Sequence, residues 1–274
     1  MVKTYVITGG TDGIGRALAD MYLDRGQEVV VVGRNAEKGR AWLDAARRSG
    51  AAGRAHFLRA DLSLLSQTRA VVSEIKAGFA KIDALVLCAR HFRTTRLVTP
   101  EGFENTFAHF YLSRFVLSHG LADLLEPAPA PVILNVAGPG GTAPIHWDDL
   151  QLTRNYDGQR ALAQGGRLND LLAVAFADAR PATRVRYVLH GPGTVRTSFS
   201  GQYTPEVAAQ IETIRRSARP VHEAATTITH LLDTPPTTRL SAFAQSTPLS
   251  SDGPSFALAD ARRLYARTRE LLGD

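Results

Sequence analysis

The sequence predicts an α/β fold built on a doubly wound parallel sheet, in one domain that takes in all 274 residues. Three observations predict it. Apolar runs of strand length alternate with helix-patterned stretches from Thr4 to Leu189, the order that parallel βαβ units require. One of those runs, Val29-Val30-Val31-Val32, is apolar without interruption, as a strand covered on both faces must be. The turn after the first run, Thr8-Gly9-Gly10-Thr11-Asp12-Gly13-Ile14-Gly15, is rich in glycine and opens straight into a helical pattern.

Taken in chain order, Thr4–Thr8 is the first strand, ended by glycine. Residues 13–25 form a helix with Ile14, Leu18, Met21 and Tyr22 on one face. Strand Glu28–Gly33, helix 36–49, strand 56–59, helix 65–80 and strand 84–88 repeat the unit. Residues 102–125 are a long helical region with Gly120 as its weak point, and 127–131 a proline-rich connector into strand Val132–Val136. Helix 158–180 and strand 184–189 follow. After Gly191 the pattern loosens, and residues 197–220 read as an insertion carrying a short helix, Pro205–Ser217. A helix at 221–232, a last strand at 240–243 and a closing helix Leu258–Leu272 complete the chain. Thr234-Pro235-Pro236-Thr237-Thr238 is a loop, not a domain linker, and no internal repeat is present.

No apolar run approaches the roughly 18 residues that a bilayer-spanning helix needs, so no membrane is expected. The chain enters a strand almost at once and shows no signal-peptide core. Cys88 is the one cysteine, which excludes an intrachain disulfide and points to a reducing, cytoplasmic setting. The net charge of +6 rests on arginine, since Lys3, Lys38, Lys76 and Lys81 are the only lysines. The arginines are scattered, their longest runs being the pairs Arg47-Arg48, Arg215-Arg216 and Arg262-Arg263. A nucleic-acid partner would call for a clustered basic face with aromatics, so none is expected. His91, His109, His146 and His190 show no ligand spacing, and no metal is expected.

In Gly9-x-x-x-Gly13-x-Gly15 the glycines permit a tight turn and a close approach of backbone N–H groups to a pyrophosphate. The helix beginning at Gly13 adds the positive end of its dipole. This strand–glycine turn–helix resembles the cofactor loop of the short-chain dehydrogenase/reductase family, a Rossmann-type fold, and the resemblance extends over roughly the first 200 residues. Asp61-Leu62 matches the family's adenine-holding acid, and Leu87-Cys88-Ala89-Arg90 stands where the family has Asn-Asn-Ala-Gly. Leu134-Asn135-Val136 matches the strand that leads to the catalytic serine. His190-Gly191-Pro192-Gly193-Thr194-Val195-Arg196-Thr197 resembles the loop that supports the nicotinamide. The cofactor-binding residues so implied are Gly9, Thr11, Asp12, Gly13, Ile14, Gly15, Arg34, Asn35, Asp61, Leu62, Cys88, Ala89, Arg90, Val136, Pro192, Gly193, Thr194, Val195 and Thr197. The second strand ends in Gly33-Arg34-Asn35, with no acid for a ribose 2′-hydroxyl but a guanidinium suited to a 2′-phosphate, so NADP(H) is the expected cofactor.

The family's acid–base residues are a Tyr, a Lys, a Ser and an Asn, and here all four are replaced. After Asn135-Val136 the chain reads Ala137-Gly138-Pro139-Gly140-Gly141, without the serine. Aligning Tyr156, Gly158, Gln164 and Asn169 with their family counterparts puts Leu162 at the Tyr position and Gly166 at the Lys position, and the Asn position falls at Phe110. A slipped alignment would instead offer Tyr156 and Arg160 as a Tyr-x-x-x-Arg pair, with Arg a poor stand-in for Lys. Cys88 reads as a small buried hydrophobe at a strand end, not a nucleophile.

The resemblance implies an NADPH-dependent ketoreductase acting on a bulky aromatic carbonyl of polyketide type, as in the atypical polyketide ketoreductases of antibiotic pathways. No catalytic residue of the protein is expected; a phenol beside the carbonyl would supply the proton. Two alternatives stand beside it: a non-catalytic NADP-binding sensor or partner subunit, and a non-redox cyclase or dehydratase on the same fold. Gly138, Pro139, Leu162, Phe199, Gln202 and Tyr203 are the candidate substrate pocket. The family's habit of pairing through helices at 102–125 and 158–180 makes a homo-oligomer an expectation too, with Ala161, Leu168, Leu172, Val174 and Phe176 as apolar surface that sheet packing would use equally well.

Overall fold

The four valines that mark the second strand are each fully buried, because helices cover both faces of the sheet at this point. At about 1.5–3 kcal/mol for each such side chain, the four together contribute roughly 6–12 kcal/mol of hydrophobic stabilisation. The computed structural model describes residues 2–273. The chain runs β1 (Thr4–Thr8), α1 (Gly13–Asp24), β2 (Glu28–Gly33), α2 (Ala36–Arg48), β3 (Ala55–Arg59), α3 (Leu65–Gly78) and β4 (Ala84–Leu87). A two-residue strand β5 (Phe92–Arg93) precedes a helical run of α4 (Asn105–Phe107), a π-helical turn (Ala108–Leu112), α5 (Ser113–Gly120) and α6 (Ala122–Leu125). Then come β6 (Val132–Val136), α7 (Gly158–Ala179), β7 (Arg186–Gly191), β8 (Gly201–Gln202), α8 (Pro205–Ser217), α9 (Val221–Asp233), β9 (Leu240–Ala244), β10 (Thr247–Leu249) and α10 (Leu258–Leu272).

The main sheet has the order β10-β9-β7-β6-β4-β1-β2-β3, parallel except for the edge strand β10. The order reverses between β1 and β4, so the carboxyl ends of these two strands flank the crevice where such sheets bind ligands. The predicted doubly wound sheet is therefore the observed one. Three expectations are corrected. The strand at 240–243 is not the last, because the chain turns back at Gln245 to add β10. The helical region at 102–125 starts at Asn105, since Gly102 sits in a turn at φ 84° and Glu104 caps the helix through Thr106 N and Phe107 N. The insertion at 197–220 holds α8 within the predicted bounds but also β8, which pairs with β5 in a small second sheet.

α10 lies along α7 and reaches α5: Tyr111 and Thr268 share a hydroxyl hydrogen bond, Phe115 meets Tyr265, and Arg262 pairs with Asp178. Leu168, Leu172 and Phe176 are at most 1% exposed and belong to the core on this side of the sheet.

Candidate active site

The glycine loop is shaped by steric demands that only glycine meets. Gly9 and Gly13 have left-handed backbones, with φ 67° and 53°. A Cβ on Gly9 would lie 2.9 Å from Ala89 Cα, and one on Gly15 would lie 2.6 Å from Gly9 O. Asp12 caps α1 by accepting from Gly13 N at 2.7 Å and forms an ion pair with Lys38. Burial works against the Asp12 charge, but hydrogen bonds from Lys38 and Ser198 hold its carboxyl below the usual range. Thr197 reaches over the loop, its Cγ2 2.8 Å from where a Gly13 Cβ would stand.

The far end of the crevice gathers charge. Arg34 stands 3.6 Å from Asp61. The Asp61 carboxyl is partly desolvated, yet hydrogen bonds from Ser63 and the nearby Arg34 and His109 keep it below the ordinary range. Asn35 spends its side chain on capping α2 at Lys38 N, 2.8 Å away, and Leu62 is packed in the core. Lys38, paired with Asp12, thus brings a second cation to the glycine loop. The sequence reading missed it because its partner Asp12 is 26 residues distant.

Between β4 and β6 lies a second residue that the sequence did not expose. Arg114, on α5 and 2% exposed, donates to Ala89 O at 2.9 Å, to Val136 O at 3.0 Å and to the Asn135 side chain. Its guanidinium also stacks on the Phe110 ring at 4.4 Å. Burial pushes it down to about 10, so it remains charged at neutral pH. Cys88 beside it is pushed up to about 12 by burial, with Arg114 pulling the other way; such a thiol is a poor nucleophile.

The four positions aligned with the family's acid–base residues lie on α7 or against it. A Cβ on Gly166 would face Ala137 O at 3.5 Å and Gly138 O at 3.9 Å. Gly165 packs on Phe110, whose ring would lie 2.6 Å from a Cβ there, and Asn169 Nδ2 donates to Phe110 O at 2.8 Å. Leu162, one turn before Gly166, is half-buried on the same helix. Phe110 is the central residue of the π-helical turn, a distortion frequent at functional sites. Gly138, at φ 67°, is exposed and would have open space around a Cβ, so the crevice is roomy here. The Tyr156–Arg160 alternative fails on geometry. The Tyr156 hydroxyl bonds Glu104 at 3.2 Å and Thr106 at 3.3 Å, while Arg160 bonds Asn155 O.

The remaining predicted residues form the rim. Gly193 adopts φ 71° against Gln245, whose backbone NH bonds Gly191 O at 2.7 Å and whose side chain accepts from Arg219, also at 2.7 Å. Thr194 O accepts from Arg219 N, and Val195 is buried. Arg90 is exposed at the mouth. Phe199, at φ 48°, accepts at its carbonyl from the Tyr203 hydroxyl. Tyr203 stacks on Phe92 with ring centroids 5.6 Å apart. Phe92 N donates to Ser200 O, and Thr94 N to Gln202 O. Tyr203 and the Gln202 backbone are therefore spent on packing the segment 199–203 against 91–94, which bridges the crevice. Among the described residues no group of His, Cys, Asp and Glu is placed to hold a metal.

Residues 3–148 match the sequence profile of the family described as short chain dehydrogenase. The chain belongs to this family. A Streptomyces protein, DnrU, named for daunorubicin C-13 ketoreduction, is 33% identical over 197 residues, covering 71% of this chain and 67% of DnrU. The Aspergillus protein notO, named as an oxidoreductase with an NmrA-like domain, is 30% identical over 65% of this chain. Human polyprenol dehydrogenase is 28% identical over 59%. The matches span 56% and 51% of the latter two relatives' lengths. Among solved structures, a short chain dehydrogenase from Salmonella enterica superposes with a TM-score of 0.67 at 19% identity, covering 89% of this chain and 96% of that one. One from Burkholderia cenocepacia, in complex with NADP, gives 0.66 at 19%, covering 89% and 94%. At such identities the likeness is one of fold.

Proposed function

We propose that this short-chain dehydrogenase is an NADPH-dependent ketoreductase for a bulky aromatic, polyketide-type ketone. A phenolic hydroxyl ortho to the substrate carbonyl would supply the proton that the protein does not. One observation carries the reading: the positions aligned with the family's acid–base residues hold Phe110, Gly138, Leu162 and Gly166, none of which can give a proton, and they leave space. The name of DnrU, a relative at 33% identity, supports the substrate class.

The glycine loop fits a nicotinamide dinucleotide by its backbone, since Gly9, Gly13 and Gly15 leave no room for a Cβ and let the turn close tightly onto the start of α1. Backbone N–H groups of Ile14 and Gly15 at the start of α1 would hold the pyrophosphate, Arg34 and Lys38 the 2′-phosphate, and Asp61 the adenine. Pro192, Gly193 and Thr194, braced by Arg219 and Gln245, would support the nicotinamide. When bound, the reduced nicotinamide supplies a hydride to the carbonyl carbon. The 199–203 segment limits water at the mouth, while Arg114 fixes the strand ends on either side.

The test is turnover with NADPH of an ortho-hydroxyaryl ketone and of its methyl ether. The phenol should be reduced and the ether should react at least about a hundredfold more slowly, matching the usual worth of a positioned proton donor. Equal rates would remove the substrate-donor mechanism. No transfer of deuterium from labelled NADPH to any such ketone would remove the ketoreductase reading.

A further inference from the structure

One buried acid in this region has no part in the site so far. Asp170 lies on α7 one turn beyond Gly166 and two beyond Leu162, on the same stripe of the helix. It is fully buried. Its Oδ2 accepts from Gly140 N at 3.0 Å, while Oδ1 is buried without a hydrogen-bond partner. The Arg167 guanidinium stands 3.6 Å away but is engaged elsewhere, donating to Ser255 O at 2.9 Å and Pro254 O at 3.4 Å, with Nε buried and unpartnered. Ser255 in turn donates to Gly141 O at 2.8 Å. The loop 137–141, which replaces the family's serine and faces Gly166, is thus held at two successive residues. Asp170 holds one and Ser255 the other.

We propose that Asp170 is a positioning residue for the carbonyl substrate: its carboxyl sets the loop 137–141 that walls the pocket, and its ionisation loosens that wall. The identity of the substrate rests on the ketoreductase reading; the hold on the loop does not. Burial pushes the carboxyl up to about 7, although the Gly140 N–H and Arg167 act to lower it. The Gly140 N–H bonds the carboxylate at least as well as the neutral acid, so the loosening acts through Arg167 and Ser255, not through Gly140. The carboxylate is a buried charge whose nearest cation is Arg167, so ionisation favours moving Arg167 off the Pro254 and Ser255 carbonyls. That movement disturbs the segment whose Ser255 is the second hold. Other charged groups on the surrounding elements have their own partners. On α10, Arg262 pairs with Asp178 and Arg263 stacks on Trp147, while Asp252 accepts from Ser250 and His190 bonds Gln245 O.

The experiment is hydrogen–deuterium exchange of peptides covering residues 137–141 in the cofactor-free protein, from about pH 5.5 to 8.5, corrected for intrinsic exchange. Asp170→Asn keeps the size and an acceptor for Gly140 but cannot ionise. Protection in the wild type should fall about tenfold across this range and stay flat in Asp170→Asn. Ser255→Ala removes the second hold, through which the carboxylate acts, so it should lower protection at every pH and flatten the slope. With a reducible ketone, the wild-type KM should rise over the same range, while kcat and NADPH affinity hold. A flat wild-type profile, or equal slopes in wild type and Asp170→Asn, overturns the proposal. A sloping profile in a protein that reduces no ketone upholds the hold on the loop and overturns the ketoreductase reading instead.

Discussion

Arg34 could be read from the sequence because it follows directly on a strand whose end must face the ribose. Lys38 could not, since its place at the glycine loop depends on how α2 docks and on the Asp12 ion pair. Both side chains are more than half exposed, so solvent weakens what each contributes. Arg34→Ala should raise the KM for NADPH about tenfold and change that for NADH less than about twofold, as steady-state kinetics with the two cofactors would show. Equal effects on both would mean that Arg34 serves the adenine and not the phosphate. Gly138 and Gly166 were legible as positions without the family's acid–base groups; that Gly166 lies against the Ala137 and Gly138 carbonyls was not, because it depends on how α7 lies against the end of β6.

The elements divide by how local their causes are. Pro205–Ser217 was readable to the residue, since proline at its first position and the apolar spacing of Val207, Ile211 and Ile214 are local signals. β5 and β8 are two residues each, too short for any periodicity, and exist only because the 199–203 segment crosses to 91–94. The π-helical turn was equally hidden; alignment marks Phe110 only as the family's Asn position. Just beyond it, Arg114 ties the ends of β4 and β6 from within α5. Arg114→Met should cost on the order of 3–5 kcal/mol in urea unfolding, because it leaves the Ala89 and Val136 carbonyls and the Asn135 side chain without their buried donor. It should weaken NADPH binding as well. A loss below about 1 kcal/mol would mean that water readily replaces the guanidinium.

At the scale of the whole molecule, three histidines are held neutral by the fold. Burial pushes His109, His119 and His190 each down to about 4, with neighbouring cations adding to the effect. Their folded values lie below the unfolded one, so their contribution to stability is complete above about pH 6.5 and is lost as pH falls toward 4. Chemical denaturation should show stability falling across that window by up to about 1.4 kcal/mol per pH unit for each group. Substituting His119, packed among Phe115, Phe176 and Tyr265, by Phe should flatten the slope by about a third if the three contribute equally. An unchanged slope would show that the acid sensitivity lies elsewhere.

The sequence by itself determined the sheet and the family, and it pointed to a cofactor loop and to replaced acid–base residues. Each reading rests on local signals: strand-length apolar runs, glycines that a turn demands, and residue types at fixed spacings. The tertiary structure decided the partners. Lys38 meets Asp12, Arg114 joins two strand ends, Asp170 takes hold of Gly140, and 199–203 closes on 91–94. These contacts link residues far apart in the chain, and no spacing records them. They form because buried charges and backbone polar groups must be satisfied wherever packing of the core places them.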